Sequence, residues 1–209
     1  MTTIGLIGAG RIGSQIARLA VASGYNVVIS NSRGPETLSG LVAELGPNAR
    51  AATVLEAAQS GDIVVVTIPL KNIRAVPVAP LAGKIVIDTN NYYPARDGHF
   101  EQLDHDQSTG SELQQQYLAG ARAVKAFNAI HWQSLAEMGR PPGDPKRIAI
   151  PIAADDPEAK RVVAGLIDQI GFDPVDAGTL GVGGRKFQVG SAVYGQLHTA
   201  KELKSLLAG

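Results

Sequence analysis

The chain contains no cysteine, which excludes disulfides, thiolate metal centres and cysteine nucleophiles together. That fits a reducing compartment, and a cytoplasmic location is the expectation. Net charge is missing as well, because nineteen Lys and Arg balance nineteen Asp and Glu. Without an overall positive field, neither nucleic acid nor an anionic membrane is an expected partner, and any polyanion must be met by a local site. No apolar run reaches the roughly 18 residues that mark a bilayer span, and the start, Met1-Thr2-Thr3-Ile4-Gly5-Leu6-Ile7, has no basic stretch before its apolar residues. Neither a signal peptide nor a membrane span is expected. His99, His105, His131 and His198 lack metal-ligand spacing, and Asp104-His105-Asp106 reads as a polar loop, so no metal site is expected. There is also no G-x-S-x-G elbow, no pair of catalytic carboxylates, no internal repeat and no heptad array.

What is present is 209 residues, 44% of them hydrophobic, enough for one large domain with a sizeable core. Short β-branched runs alternate with helical patterns throughout, predicting an α/β fold with a doubly wound, mostly parallel sheet. Strands are expected at Thr3 to Ile7, Asn26 to Ser30, Arg50 to Thr53, Asp62 to Ile68, Lys84 to Thr89, Arg122 to Ala126, Ile148 to Ala153 and Phe172 to Asp176. Ile63-Val64-Val65-Val66 is apolar on both faces and belongs in the sheet centre. Helical periodicity follows Ile12, Ile16, Leu19 and Ala20, then Leu38, Leu41, Val42 and Leu45 behind Gly34-Pro35-Glu36, then Glu158 to Ile170 before Gly171. Gly139 to Arg147 and Gly178 to Gly190, rich in proline or glycine, predict loops, and a closing helix is expected from Ala192 to Leu207. Tyr92 to Ser108 is polar and long for a connection, hence a lid over a site or a mobile excursion. The expected division is a nucleotide-binding domain over 1–177 and a C-terminal loop and helix, 178–209, packed on it.

The most informative motif is Gly8-Ala9-Gly10-Arg11-Ile12-Gly13, between a predicted strand and an amphipathic helix. In that context the first glycine permits a tight turn, the second lets backbone N–H groups approach a pyrophosphate, and the third lets helix pack on strand. The helix N-terminus adds partial positive charge, and Arg11 in its first turn is unfavourable against the dipole unless a phosphate relieves it or solvent screens it. The second strand then ends in Ser30-Asn31-Ser32-Arg33-Gly34. An NAD enzyme places a carboxylate there for the ribose 2′-hydroxyl, whereas a hydroxyl, an amide and a guanidinium match a 2′-phosphate. NADP is the expected cofactor.

Ligands of doubly wound sheets sit outside the carboxyl ends of the strands. The fourth strand ends at Thr67-Ile68-Pro69-Leu70, the fifth at Thr89-Asn90-Asn91 and the sixth at Lys125-Ala126-Phe127-Asn128-Ala129-Ile130, so Thr67, Pro69, Leu70, Asn90, Ala126, Asn128 and Ile130 join the cofactor-site candidates. No residue is assigned as catalytic. Lys125 is the one proton-donor candidate, although a strand-end lysine usually faces solvent or pairs with a carboxylate. Walls of this kind suit two stacked rings better than a carbonyl, whose reduction needs a positioned donor.

With Gly8, Gly10 and Gly13 followed by Ser32-Arg33, the stretch Ile4 to Arg33 resembles the deazaflavin-dependent NADP reductases, which move hydride between NADPH and coenzyme F420. Asp88-Thr89-Asn90-Asn91-Tyr92, Val124-Lys125-Ala126-Phe127-Asn128 and Gly171-Phe172-Asp173-Pro174-Val175-Asp176-Ala177-Gly178 are similar to the wider family of that fold. The resemblance implies a Rossmann domain with a short C-terminal extension, frequently a homodimer, in which Ser32 and Arg33 hold the 2′-phosphate and Asn128-Ala129-Ile130 lies behind the nicotinamide. The expected activity is hydride transfer from NADPH to F420 or a similar planar deazaflavin or flavin, a small-molecule partner. Reduction of another flavin, quinone or imine substrate, and a non-catalytic NADP-binding sensor, are the alternatives.

Overall fold

The computed structural model describes residues 1–208. Eight strands form one sheet: β1 Thr3–Ile7, β2 Asn26–Ser30, β3 Ala49–Ala51, β4 Ile63–Val66, β5 Ile85–Asp88, β6 Arg122–Lys125, β7 Ala149–Ala153 and β8 Asp173–Gly178. Their order is β3-β2-β1-β4-β5-β6-β7-β8, with every pair parallel except β6 and β7. The expected doubly wound, mostly parallel α/β sheet is therefore the architecture. Its last two strands run against the other six. All eight predicted strands form: β1 and β2 with the expected bounds, β3 to β7 one to three residues shorter than expected, and β8 one residue longer.

The helices are α1 Arg11–Ala22, α2 Ser39–Leu45, α3 Val54–Ser60, α4 Pro94–Asp97, α5 Glu101–Asp104, α6 Gly110–Tyr117, α7 Trp132–Glu137, α8 Pro157–Gln169, α9 Leu180–Arg185 and α10 Ala200–Ala208. None is long and apolar enough to cross a membrane. Strand alternation splits β4 between two cores. Ile63 and Val65 join the face covered by α1 and α8, where Ile16, Val163 and Ile167 are buried, and Val64 and Val66 join the opposite face with Ala58, Leu81 and Leu118. On the far edge, Leu203 and Leu207 of α10 pack against Ala149, Val175, Phe187 and Val193.

Three expectations about the connections change. The glycine-rich stretch 178–190 contains α9, whose Thr179 side chain caps it by accepting from the Val182 N–H. A Cβ on Gly183 would lie 2.6 Å from the Ala177 carbonyl oxygen, so glycine here permits close packing on β8, and tertiary contact overrides its low helix propensity. The closing helix begins at Ala200 rather than Ala192, because Gly195 takes φ +71° and a capping box at Thr199 and Glu202 sets the start. Tyr92 to Ser108 folds into α4 and α5, with Leu103 buried and Tyr92 edge-on to Phe100 at 5.8 Å. It is a structured excursion with two short helices.

Candidate nucleotide site

Strand order departs from sequence order between β1 and β4, and there the carboxyl ends of β1, β2, β4, β5 and β6 open onto one crevice. The three glycines of the turn have different jobs. Gly8 has φ +115°, and a Cβ there would lie 2.3 Å from the Thr67 carbonyl oxygen; one on Gly13 would lie 2.2 Å from the Gly8 oxygen. A Cβ on Gly10 would meet nothing within 4 Å. The outer glycines let helix and strand approach, while the middle one faces open space at the N-cap of α1.

One side of the crevice is a cavity of about 520 Å³ walled by Gly8, Ala9, Gly10, Asn31, Ser32 and Arg33, facing Thr67 and Pro69. Ser32 and Arg33 are exposed, and among the described residues their side chains have no hydrogen-bond or ion-pair partner. Asn31 differs from the expectation that its amide serves a phosphate. Its Nδ2 donates to Thr37 Oγ1 at 2.8 Å, and its Oδ1 accepts the N–H groups of Arg33 and Gly34 at 2.9 and 3.0 Å. Asn31 therefore shapes the turn that presents Ser32 and Arg33.

The other side is a cavity of about 480 Å³ that shares Gly10, Thr67, Ile68 and Pro69 with the first, so the two form one trough. Arg11, Ile12, Asn90, Asn128 and Ile130 line it, as the sequence suggested. Asn90 is mainly a strut: its Oδ1 accepts from Ile68 N at 3.2 Å and its Nδ2 donates to Gln114 Oε1 at 2.7 Å. Asn128 Nδ2 donates to Phe187 O at 2.9 Å and Asn91 Oδ1 at 3.2 Å, leaving its buried Oδ1 with no partner among the described residues. Between them Phe127 is held at φ +63°, a left-handed conformation costing a non-glycine residue about 1–3 kcal/mol and typical of sites that over-determine their backbone.

Besides Gly13, which is buried between α1 and the turn, two candidates lie elsewhere. Leu70 and Ala126 are fully buried and line neither cavity. Ala126 points with Val124 into the α1 and α8 core, as a period of two requires, and Leu70 turns under the trough toward Gly110 of α6. Lys125, on the face opposite Val124, is also not in the trough and not solvated. It is 3% exposed and donates to Ser111 Oγ at 2.9 Å and Asn90 O at 3.4 Å, beside a separate cavity of about 130 Å³. Burial pushes its ammonium below the ordinary lysine value, against the upward pull of Asp88. Ser111 in turn donates to Asp88. Lys125→Met would strand these buried partners and is expected to lower unfolding stability by about 1–3 kcal/mol in a urea titration; an unchanged midpoint would make the network idle.

Sequence reasoning missed the residues that distant segments bring in. Tyr93 and Arg96 come from the excursion after β5, His131 and Trp132 from the start of α7, and Tyr194 from the stretch before α10. Arg11 is exposed, and its guanidinium lies 5.6 Å from the centre of the Trp132 ring. The expectation that Lys125 is the one proton-donor candidate is corrected, since Tyr93, Tyr194 and His131 line the trough and Lys125 does not. Tyr194 is 101 residues from Tyr93, and no local pattern could have joined them.

The trough fits a dinucleotide phosphate: open space over Gly10, two unengaged donors at Ser32 and Arg33, and an unpaired buried acceptor at Asn128. Comparison with known proteins agrees. The chain is 31% identical to a hypothetical protein of Sinorhizobium meliloti, whose crystal structure superposes with a TM-score of 0.82 over 95% of this chain and 96% of that one. It shares its fold with a protein of Arthrobacter sp. FB24 provisionally assigned as an F420-dependent NADP reductase, at TM-score 0.72, 24% identity and 86% coverage of both chains. It is also 32% identical over 179 residues, 85% of its length, to the rat (Rattus norvegicus) metalloreductase STEAP3, and spans about a third (34%) of that protein. The family described as NADP oxidoreductase, coenzyme F420-dependent, matches residues 3–92, the segment that builds the glycine turn, the Ser32-Arg33 loop and the β4 and β5 ends. Over residues 3–92 the chain is thus similar to that family of NADP-dependent oxidoreductases, and its fold is the one those proteins share.

Proposed function

We propose that the protein transfers hydride from NADPH to F420 or a similar planar deazaflavin or flavin bound in the same trough. The observation that carries this reading is the continuity of the two cavities across Gly10, Thr67, Ile68 and Pro69. One side carries the phosphate donors, and the other is walled by Phe127, Trp132, Tyr93 and Tyr194, with flat faces for a second ring. NADPH supplies the hydride. Ser32 and Arg33 would hold its 2′-phosphate, the N–H groups at the head of α1 its pyrophosphate, and Asn128, whose Oδ1 is unpaired, its carboxamide end. The protein's part is then to exclude water and hold donor and acceptor atoms close, which proximity rewards heavily.

Steady-state NADPH oxidation with a panel of deazaflavin, flavin, quinone, imine, ketone and aldehyde acceptors tests this. Planar ring acceptors are expected to react well and simple ketones and aldehydes negligibly, because only a ring can stack between the aromatic walls and be held at the hydride; the reverse order would sink the reading. Turnover with none, together with ligand-dependent binding of a protein partner, would favour a sensor. Lys125→Met, which removes an ammonium lying outside the trough and touching its wall only through the Asn90 carbonyl, is expected to slow turnover by less than about tenfold, since general acid catalysis at 10²–10⁴-fold is not drawn from that residue.

A further inference from the structure

Two tyrosines 101 residues apart, one from the middle of the chain and one from near its C-terminal end, meet at the aromatic side of the trough, hydroxyl to hydroxyl. Tyr93 leads the excursion after β5. Its N–H donates to Asp97 Oδ2 at 3.0 Å, and the Arg96 guanidinium lies 4.8 Å from its ring centre. Arg96 is itself fixed, donating to Asn91 O at 2.7 Å and forking onto the buried Asp97 at 2.8 and 2.9 Å. Burial works to raise the Asp97 carboxyl, but the Arg96 fork and the Tyr93 N–H hold it below its ordinary value, so it is an anion that anchors the cation. Tyr194 accepts from Asn91 Nδ2 at 3.4 Å.

Counting protons gives the pair a direction. Two hydroxyls carry two protons, and one lies in the bond between them. Among the described residues neither oxygen has another acceptor within reach, so the second proton has no partner in the protein. The Tyr194 oxygen already accepts from Asn91 Nδ2, so the arrangement that uses both groups has Tyr194 donating to Tyr93. Burial, then the bond to Tyr93, push Tyr194 above the ordinary phenol value, in keeping with a hydroxyl that stays protonated beside a Tyr93 phenolate. The unspent proton is then on Tyr93, in the wall of the trough. The other charged or titratable groups facing this part of the trough are Arg96, Arg11 and His131, with Asp97 behind Arg96. None of the carboxylates lines the trough.

We propose that Tyr93 is the proton donor to the hydride acceptor and that Tyr194 is its positioning and relay partner, a role that rests on the hydride-transfer reading above. A hydride arriving at one ring atom of the acceptor drives an electron pair onto a ring heteroatom. The Tyr93 O–H bond breaks, its proton passing to that heteroatom and its electron pair staying on the phenolate oxygen. The Tyr194 hydroxyl and the Arg96 cation stabilise that phenolate; Tyr194 then passes its proton to Tyr93 and recovers one from water. In sum, NADPH, the acceptor and one proton give NADP⁺ and the dihydro acceptor. Such a donor is worth about 10²–10⁴-fold where the acceptor's reduced anion is a poor leaving charge, and correspondingly less where the ring delocalises it.

The test has two arms. In the first, tyrosinate absorbance is titrated with pH in the protein without ligands, in wild type, Tyr93→Phe and Tyr194→Phe. The Tyr93 transition, identified by its loss in Tyr93→Phe, is expected to move to higher pH in Tyr194→Phe, because its phenolate loses a donated hydrogen bond. An unmoved transition overturns the relay whatever the acceptor is. In the second, single-turnover hydride transfer is measured with the best acceptor of the panel. Tyr93→Phe is expected to slow transfer about tenfold to a hundredfold with NADPH affinity within about threefold of wild type and the solvent isotope effect abolished, and Tyr194→Phe to slow it less. A rate within about threefold of wild type in Tyr93→Phe overturns the donor role. A wild type that reduces no panel member overturns the acceptor reading instead, and the first arm still decides whether the pair is coupled.

Discussion

Arg33→Asp is expected to weaken NADPH binding by about a hundredfold or more while changing NADH binding little. Ser32 and Arg33 stand exposed and unpaired at the end of β2, on a turn that Asn31 fixes through three hydrogen bonds. Charge-assisted hydrogen bonds to a phosphate contribute about 1.5–3 kcal/mol each, so two of them give wild type roughly a hundredfold or greater preference for NADPH. A carboxylate at position 33 removes one bond and sets like charges together, whereas the ribose hydroxyl of NADH offers it a donor. Calorimetric titration of both cofactors into wild type and variant checks this. Parallel losses for the two cofactors would mean that the loop does not hold the 2′-phosphate.

The glycines of the first turn separate folding from binding. Gly13→Ala puts a methyl group 2.2 Å from the Gly8 oxygen and 2.7 Å from Thr67 Cγ2, neither of which can retreat without parting α1 from the sheet. A stability loss of about 1–3 kcal/mol or more is expected. Gly10→Ala meets no atom of the protein, and its stability should change by less than about 1 kcal/mol. Its methyl group occupies the approach of the pyrophosphate, so NADPH affinity should fall tenfold to a hundredfold or more with the loss of one or two backbone hydrogen bonds to that group. Urea midpoints and cofactor titrations on the same two proteins test the contrast. A Gly10→Ala protein that binds normally would place the pyrophosphate elsewhere.

Patterns with a local cause were open to reading from the chain. β4 was placed at the sheet centre because Ile63 to Val66 leaves no polar face, and the structure divides those four side chains between two cores. Gly8, Gly10 and Gly13 could be given roles because a strand ends before them and a helix begins after. The absence of a carboxylate after β2 pointed to NADP for the same reason: one loop meets one group of the ligand.

What failed depended on which way a side chain points or on what arrives from afar. Lys125 looked like a strand-end surface lysine, yet alternation turns it to the face that α6 and α9 cover, where Ser111 and the Asn90 carbonyl hold it. Glycines at 181, 183 and 184 announce a loop by propensity and form α9 because β8 rewards their lack of a side chain. By itself the sequence determined the parallel strands, the glycine turn and the carboxylate-free Ser32-Arg33 loop, since each is written within a few residues and enforced by backbone geometry. The tertiary structure alone decided the aromatic side of the trough: Tyr93, Trp132 and Tyr194 lie on three connections whose paths are set by packing against the sheet. No periodicity marks such meetings, because a contact between residues about a hundred positions apart leaves no trace in the local pattern of either.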